Sequence, residues 1–216
     1  MSEKTIYEIE GSAFYKLSYG VFALFTNDGK SDNACIINTV TQITDKPKTI
    51  SITVNKANYS NEIIKNTGRF CISVLDERTP FEIFKQFGFS SGRDNDKLKG
   101  VSGIDTAECG LKYLREFSNA YICAEVISSV EVGTHTVFIA EVVEAKVLSK
   151  EGSMTYAYYF ENVKPKPQSS EGGKSQKIVG WRCKICNYEY KGAELPSDFV
   201  CPWCKHPAED FEPIYE

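Results

Sequence analysis

Several absences narrow this sequence before any motif is read. No run approaches eighteen apolar residues, so no helix is expected to span a membrane. The opening Met1-Ser2-Glu3-Lys4-Thr5 holds no apolar signal core, which sets the expectation of a cytoplasmic protein. Basic residues are not in excess: 25 Lys and Arg stand against 29 Asp and Glu, for a net charge of −4. That balance argues against a nucleic-acid partner, whose phosphates call for clustered positive charge. No Gly-x-Gly-x-x-Gly follows any apolar run, so a Rossmann dinucleotide fold has no support. Histidine is scarce, with only His135 and His206.

What is present points first to the C-terminal end. Cys183-Lys184-Ile185-Cys186 and Cys201-Pro202-Trp203-Cys204 are two Cys-x-x-Cys pairs with fourteen residues between them. Each tight turn points two sulfurs at one ion, and two turns close a tetrahedral four-thiolate cage suited to zinc or iron. Spacing alone favours a structural zinc ribbon. Disulfides are a third reading, although nothing in the chain suggests export. Trp181, Tyr188, Tyr190, Phe199, Trp203 and Phe211 crowd the same stretch. A unit this small needs a metal as its staple, and an aromatic shell is how a redox centre excludes water and sets its potential.

These residues resemble rubredoxin, whose single iron is held by four cysteines and carries one electron. The resemblance implies iron at Cys183, Cys186, Cys201 and Cys204. The gap between the pairs is shorter than in free-standing rubredoxins. The Gly usual after each pair is Asn187 and Lys205 here; Asn tolerates a left-handed turn better than Lys does. With four sulfurs filling the cage, His206 reads as a loop residue. Cys35, Cys71, Cys109 and Cys123 are scattered among apolar residues and read as buried free thiols without assigned chemistry.

Residues 163–179 are rich in Lys, Pro, Ser and Gly and read as a linker, stiff at the Pro end and flexible at the Gly end. It carries four Lys against one Glu, whereas residues 180–216 carry four basic and seven acidic residues. The acidic tail suits steering toward a basic partner, or is simply a soluble surface. The expected organisation is therefore a large domain at 1–162, a linker at 163–179 and a small metal domain at 180–216.

The large domain reads as mainly β. Tyr19–Thr26, Ala34–Thr41, Thr49–Val54 and Phe70–Leu75 are β-branched or aromatic runs bounded by turn residues. Tyr121–Val130 and Thr136–Leu148 form a hairpin through Gly133, and Met154–Phe160 is expected to close the set as a strand. One short helix starts near Ser60 and stops at Gly68. Another opens at Thr79-Pro80-Phe81-Glu82 with a capping threonine and a first-turn proline. About seven strands with so few helices point to a barrel.

Asn55-Lys56-Ala57-Asn58-Tyr59-Ser60 puts a Lys and a hydroxyl at a helix start. That is either a phosphate site or an ordinary helix cap. Across residues 10–160 the chain resembles the flavin reductase family. The likeness rests on Tyr19-Gly20-Val21, Asn38-Thr39 running to Pro47, Ser60 with Ile63-Ile64 and Gly68-Arg69-Phe70, Ser91-Gly92-Arg93-Asp94-Asn95-Asp96-Lys97, and Gly133-Thr134-His135-Thr136-Val137-Phe138. It implies an FMN-binding split β-barrel and a homodimer with flavin near the subunit interface. It places Asn38, Thr39 and Val40 along the isoalloxazine ring and ribityl chain, and Lys56, Tyr59 and Ser60 at the phosphate. Arg93 and Lys97 would bring positive charge to the phosphate or the reduced ring. His135 would stand at the reactive edge, orienting nicotinamide or stabilising reduced flavin; a hydrogen-bonded structural histidine is the other reading. Phe160 would cover the ring face, or belong to an ordinary core strand.

Together the two modules suggest a mechanism. Nicotinamide delivers two electrons at once, a one-iron centre takes one, and a flavin converts between the two. A tethered carrier meets the flavin at an effective concentration on the order of millimolar. The arrangement resembles the high-molecular-weight rubredoxins: an NAD(P)H-dependent rubredoxin reductase and its rubredoxin in one chain, with a flavodiiron oxygen or nitric oxide reductase as the acceptor that the resemblance implies. A flavin reductase with a structural zinc ribbon, and a carrier reduced by a separate enzyme, are the other readings. NADH and NADPH are not distinguished, because no dinucleotide fingerprint is present.

Overall fold

The computed structural model describes residue 7 and residues 10–165, 178–183, 188–202 and 207–215. Cys186, Cys204 and His206, and most of the expected linker, lie outside the described residues. Seven antiparallel strands form one sheet: β1 (Phe22–Asn27), β2 (Asp32–Ile37), β3 (Val40–Asp45), β4 (Lys48–Asn55), β5 (Arg69–Leu75), and, with a small β6–β7 hairpin (Ile104–Thr106, Lys112–Leu114) before them, β8 (Ser118–Val132) and β9 (His135–Val147). The order across the sheet is β2-β1-β5-β8-β9-β4-β3. The sheet curls on itself, and among the described residues β2 and β3 do not pair to close it, which is the split of a split barrel.

The two-residue period of a strand distributes each strand to two cores. On β1, Phe22 and Leu24 join Ile52, Phe70 and Phe138 in the barrel interior, whereas Ala23 and Phe25 face the helical side. There α2 (Phe81–Gly88) packs Phe87 edge-on to Phe25 and Phe84 onto Tyr159, at ring-centroid distances of 5.6 and 4.4 Å. Helix α1 (Tyr59–Thr67) buries Ile63 and Ile64, each burial contributing about 1.5–3 kcal/mol. It stops at Gly68, whose φ of 67° is the left-handed conformation that glycine adopts freely. Gly133, at φ 51°, plays the same part in the turn from β8 to β9.

Three expectations are corrected. Ala34–Thr41 is not one strand: the chain breaks at Asn38-Thr39, and β2 and β3 lie on opposite edges of the sheet. Thr39 Oγ1 donates to the Thr53 carbonyl at 3.0 Å and pins this crossing. Met154–Phe160 is not a strand either. Thr155 Oγ1 accepts from the Tyr158 N–H at 3.1 Å, starting a helical turn at Tyr156–Tyr158 that widens to a π-turn at Tyr159–Val163. Thr79 does not cap α2. Its hydroxyl lies 2.6 and 3.0 Å from the carbonyls of Asp76 and Phe117, and Pro80 occupies the N-cap.

In the tail, β10 (Ile178–Cys183) pairs with β11 (Glu189–Lys191) and with β12 (Phe211–Tyr215). No described helix is long and apolar enough to cross a membrane.

Candidate active site

The break between β2 and β3, the start of α1, the loop after α2 and the start of β9 open onto one cleft of about 930 Å³. Asn38 and Thr39 line it from the strand crossing, Tyr59 from α1, Arg93 and Lys97 from the loop, and His135 from the head of β9. The structure thus gathers six of the expected flavin residues. Val40, Lys56, Ser60 and Phe160 are not among the lining residues. Lys56 Nζ is 2.5 Å from Glu131, which also pairs with Lys65; the two lysines hold the Glu131 carboxyl down to about 2. Phe160 packs against Tyr156 at 4.8 Å with Lys164 over its ring, and it is Tyr156 that reaches the cleft.

Ser60 is completely buried beneath the site. The cap of α1 is Asn58, whose side chain accepts from the Ser60 N–H at 3.1 Å, while Ser60 Oγ accepts from Asn33 Nδ2 at 2.8 Å. Asn33 Oδ1 is then a buried acceptor without a partner. It faces Gly92, where an added Cβ would fall 1.8 Å from that oxygen. Gly92 lines the cleft, and Asn33 packs directly behind it. Asn33 is not among the expected site residues, because asparagine on a strand signals a turn more often than a site.

Lys97 is the site's main electrostatic feature. Its side chain is buried and its ammonium donates to the Phe87 carbonyl at 2.8 Å. Burial pushes its pKa down, and the partner its ammonium has is a neutral carbonyl. A buried cation without a counter-charge is costly unless an anion joins it. Arg93 stands nearby, stacked 4.6 Å over the Tyr59 ring and paired with Glu62, while Tyr59 Oη donates to Asp28 at 3.1 Å. His135 Nδ1 lies 2.8 Å from Thr134 Oγ1, which holds the ring at the cleft edge. The volume and the buried ammonium both fit a large, partly anionic group such as a flavin nucleotide.

The tail meets the same cleft. Pro202, next to Cys201, and Pro207 complete its lining. Cys183 and Cys201 are fully buried, and the Cys183 N–H donates to the Tyr188 carbonyl at 2.8 Å. Phe199 packs edge-on to Phe211 at 5.4 Å and to Tyr190 at 4.8 Å, and Phe89 of the large domain packs onto this cluster. Buried thiols inside an aromatic shell fit an iron held by sulfur and screened from water.

Residues 14–166 match the flavin reductase like domain, and residues 181–212 match the rubrerythrin, rubredoxin-like domain. The chain belongs to the flavin reductase-like family and carries a C-terminal rubredoxin-like domain. It is 35% identical over 230 residues to the high molecular weight rubredoxin of Moorella thermoacetica, covering 95% of this chain and all of that protein. It is 37% identical over 147 residues to the ferric-chelate reductase (NAD(P)H) of Archaeoglobus fulgidus, covering 68% of this chain and 86% of that one. The NADH:FAD oxidoreductase SgcE6 of Streptomyces globisporus shares the fold, with a TM-score of 0.61 at 21% identity over 66% of this chain and 83% of its own. A flavin reductase-like domain implies a flavin and a nicotinamide donor, and a rubredoxin-like domain implies iron. The expected fold, a mainly β split barrel with a small rubredoxin-like metal domain, is borne out.

Proposed function

We propose that this chain is an NAD(P)H-dependent oxidoreductase that passes electrons through bound FMN to its own rubredoxin-type iron and on to an acceptor protein. One observation carries the reading. Pro202, the residue after the iron-ligand candidate Cys201, lines the same cleft as Asn38, Thr39 and His135. A carrier knuckle seated at the flavin cleft is in position for short-range electron transfer.

The chain's residues divide the work. When bound, the flavin supplies the conversion of a two-electron hydride into single electrons. Lys97 and Arg93 supply positive charge for the phosphate or the reduced ring, and Asn38 and Thr39 supply hydrogen bonds along the ring and ribityl chain. His135, steadied by Thr134, stands where a nicotinamide would be oriented. Ser60 acts at one remove, fixing Asn33 below the cleft. Cys183, Cys186, Cys201 and Cys204 hold the iron and leave no open position, so the centre transfers electrons without binding substrate. The stretch between the π-turn and β10, residues 164–177, acts as the tether through which the carrier reaches a partner.

A flavodiiron oxygen or nitric oxide reductase is the acceptor this reading assigns, in the cytoplasm. A homodimer suits the exposed apolar residues Ile127, Val130, Val132 and Val143 along the β8–β9 hairpin. The test is anaerobic electron delivery from NADH or NADPH to a flavodiiron acceptor by the whole chain and by its Cys201→Ser variant. Delivery by the whole chain and its loss in the variant support the reading. Equal delivery by both would remove the iron from the route.

A further inference from the structure

The flavin reductase-like domain holds a second group of sulfur and carboxylate donors that the cleft does not use. Antiparallel pairing sets Cys71 on β5 opposite Cys123 on β8, and Cys123 opposite Glu144 on β9. Three adjacent strands therefore present a thiol, a thiol and a carboxylate in one row. Cys109 enters from above, on the loop between β6 and β7. Cys109 Sγ, Cys123 Sγ and a Glu144 oxygen all lie within 4.8 Å of one another.

The surroundings hold this group in place. Arg69 Nη2 donates to the Cys109 carbonyl at 2.5 Å, and the loop closes on itself through the Ala107 N–H and the Leu111 carbonyl at 2.8 Å. Glu144 accepts from Tyr121 Oη at 2.5 Å and from the backbone N–H groups of Cys109 at 2.9 Å and Glu108 at 3.2 Å. These bonds orient the carboxylate as the outer partners of a metal ligand do. The floor is closed by the stacked rings of Tyr113 and Tyr121, 4.0 Å apart. Cys109 and Glu144 are partly exposed, which gives an entry path, whereas Cys123 is fully buried.

We infer that Cys109, Cys123 and Glu144 form a site for a thiol-seeking divalent cation of the zinc class, with solvent at the fourth position. Tetrahedral zinc with two sulfurs and one oxygen wants its donors about 3.5–3.8 Å apart, so the three atoms close by at most about 1 Å. The charge balance suits a half-buried place. Without the cation, two neutral thiols and one carboxylate carry −1. Binding forms two metal–sulfur bonds and one metal–oxygen bond and releases two thiol protons to water. The resulting group, a divalent cation with two thiolates and one carboxylate, again carries −1. The cation enters with no change of net charge in a setting where such a change is expensive. Among titratable neighbours, Lys146 is turned to Glu108 at 2.6 Å and leaves Glu144 to the site. None of these residues lines the flavin cleft.

The test uses the full chain with iron already in its tail. Zinc alone is titrated against a chromophoric chelator while the ferric absorption is followed. The expected result is one zinc bound per chain with the ferric band unchanged. Cys109→Ser and Glu144→Gln should each weaken that binding at least about tenfold while leaving the flavin absorption as it is. Both positions are partly exposed, so these variants should fold more readily than one at buried Cys123. No zinc taken up, zinc held equally by both variants, or zinc gained only as the ferric band falls would each overturn the assignment.

Discussion

Asn33 donates its side-chain amide to Ser60 Oγ at 2.8 Å, and the other end of the amide is left as a buried oxygen facing Gly92. The bond ties the inner face of β2 to the first turn of α1. It explains why a serine at a helix start is fully buried and not turned to the cleft. Three residues far apart in sequence therefore pack together behind the cleft, with Gly92 alone on its wall, and each makes a specific demand. A methyl group at position 92 would have to displace the Asn33 amide. We expect Gly92→Ala to weaken FMN retention by about tenfold or more, since overpacking a tight site costs about 1–3 kcal/mol. Flavin-fluorescence titration of the apoprotein measures it; unchanged affinity would place the flavin elsewhere.

Lys97 gives a prediction with a definite pH sign. Its folded-state pKa lies below the ordinary 10.5 because burial disfavours the ammonium. Between those two values the unfolded chain holds more protons than the folded one, so stability rises with pH. The penalty is complete below the folded pKa and is relieved as pH climbs toward 10.5. The apoprotein should therefore gain thermal stability on the alkaline side, and Lys97→Met should abolish that gain. Bound FMN should also blunt it by supplying the missing anion. The same variant should lose about 10–100-fold in FMN affinity, the worth of one charged hydrogen bond. Thermal melts of apo and FMN-loaded protein across pH check both parts.

His135 is placed at the cleft edge by Thr134, and its expected role is orientation. His135→Phe should slow flavin reduction by NADH or NADPH about 10–100-fold with FMN still bound. Anaerobic rapid mixing reads this directly. A normal rate would return His135 to a purely structural part.

Helix α1 frames the cleft only while its apolar face is seated. Ile64 is buried in the barrel interior beside Phe70 and Phe138. Ile64→Ala should cost about 2–5 kcal/mol by denaturant unfolding.

Much of this was legible in the sequence. The β-branched runs, Gly68 and Gly133 announced β1, β4, β5, the β8–β9 hairpin and the end of α1, because period-two burial and positive φ leave direct marks on residue choice. The cleft residues Asn38, Thr39, Tyr59, Arg93, Lys97 and His135 came from family likeness, not from pattern. The break at Asn38-Thr39 was hidden because apolar alternation runs through it, and only the return of Thr39 to the Thr53 carbonyl fixes it. Tyr156 was missed because a tyrosine-rich run reads as strand. The capping hydroxyl of Thr155 was the available signal. The meeting of Cys109 with Cys123 and Glu144 depends on strand register and one loop, which no local pattern encodes.

One chain that carries electrons from nicotinamide through flavin to iron needs no other protein to reduce its own iron. The most direct measurement is the visible spectrum of the purified protein, kept anaerobic, before and after NADH or NADPH is added with no other protein present. The flavin and ferric–thiolate bands should both be present at the start and both bleach. A flavin band that bleaches beside a ferric band that persists, or no ferric band at all, would contradict this route.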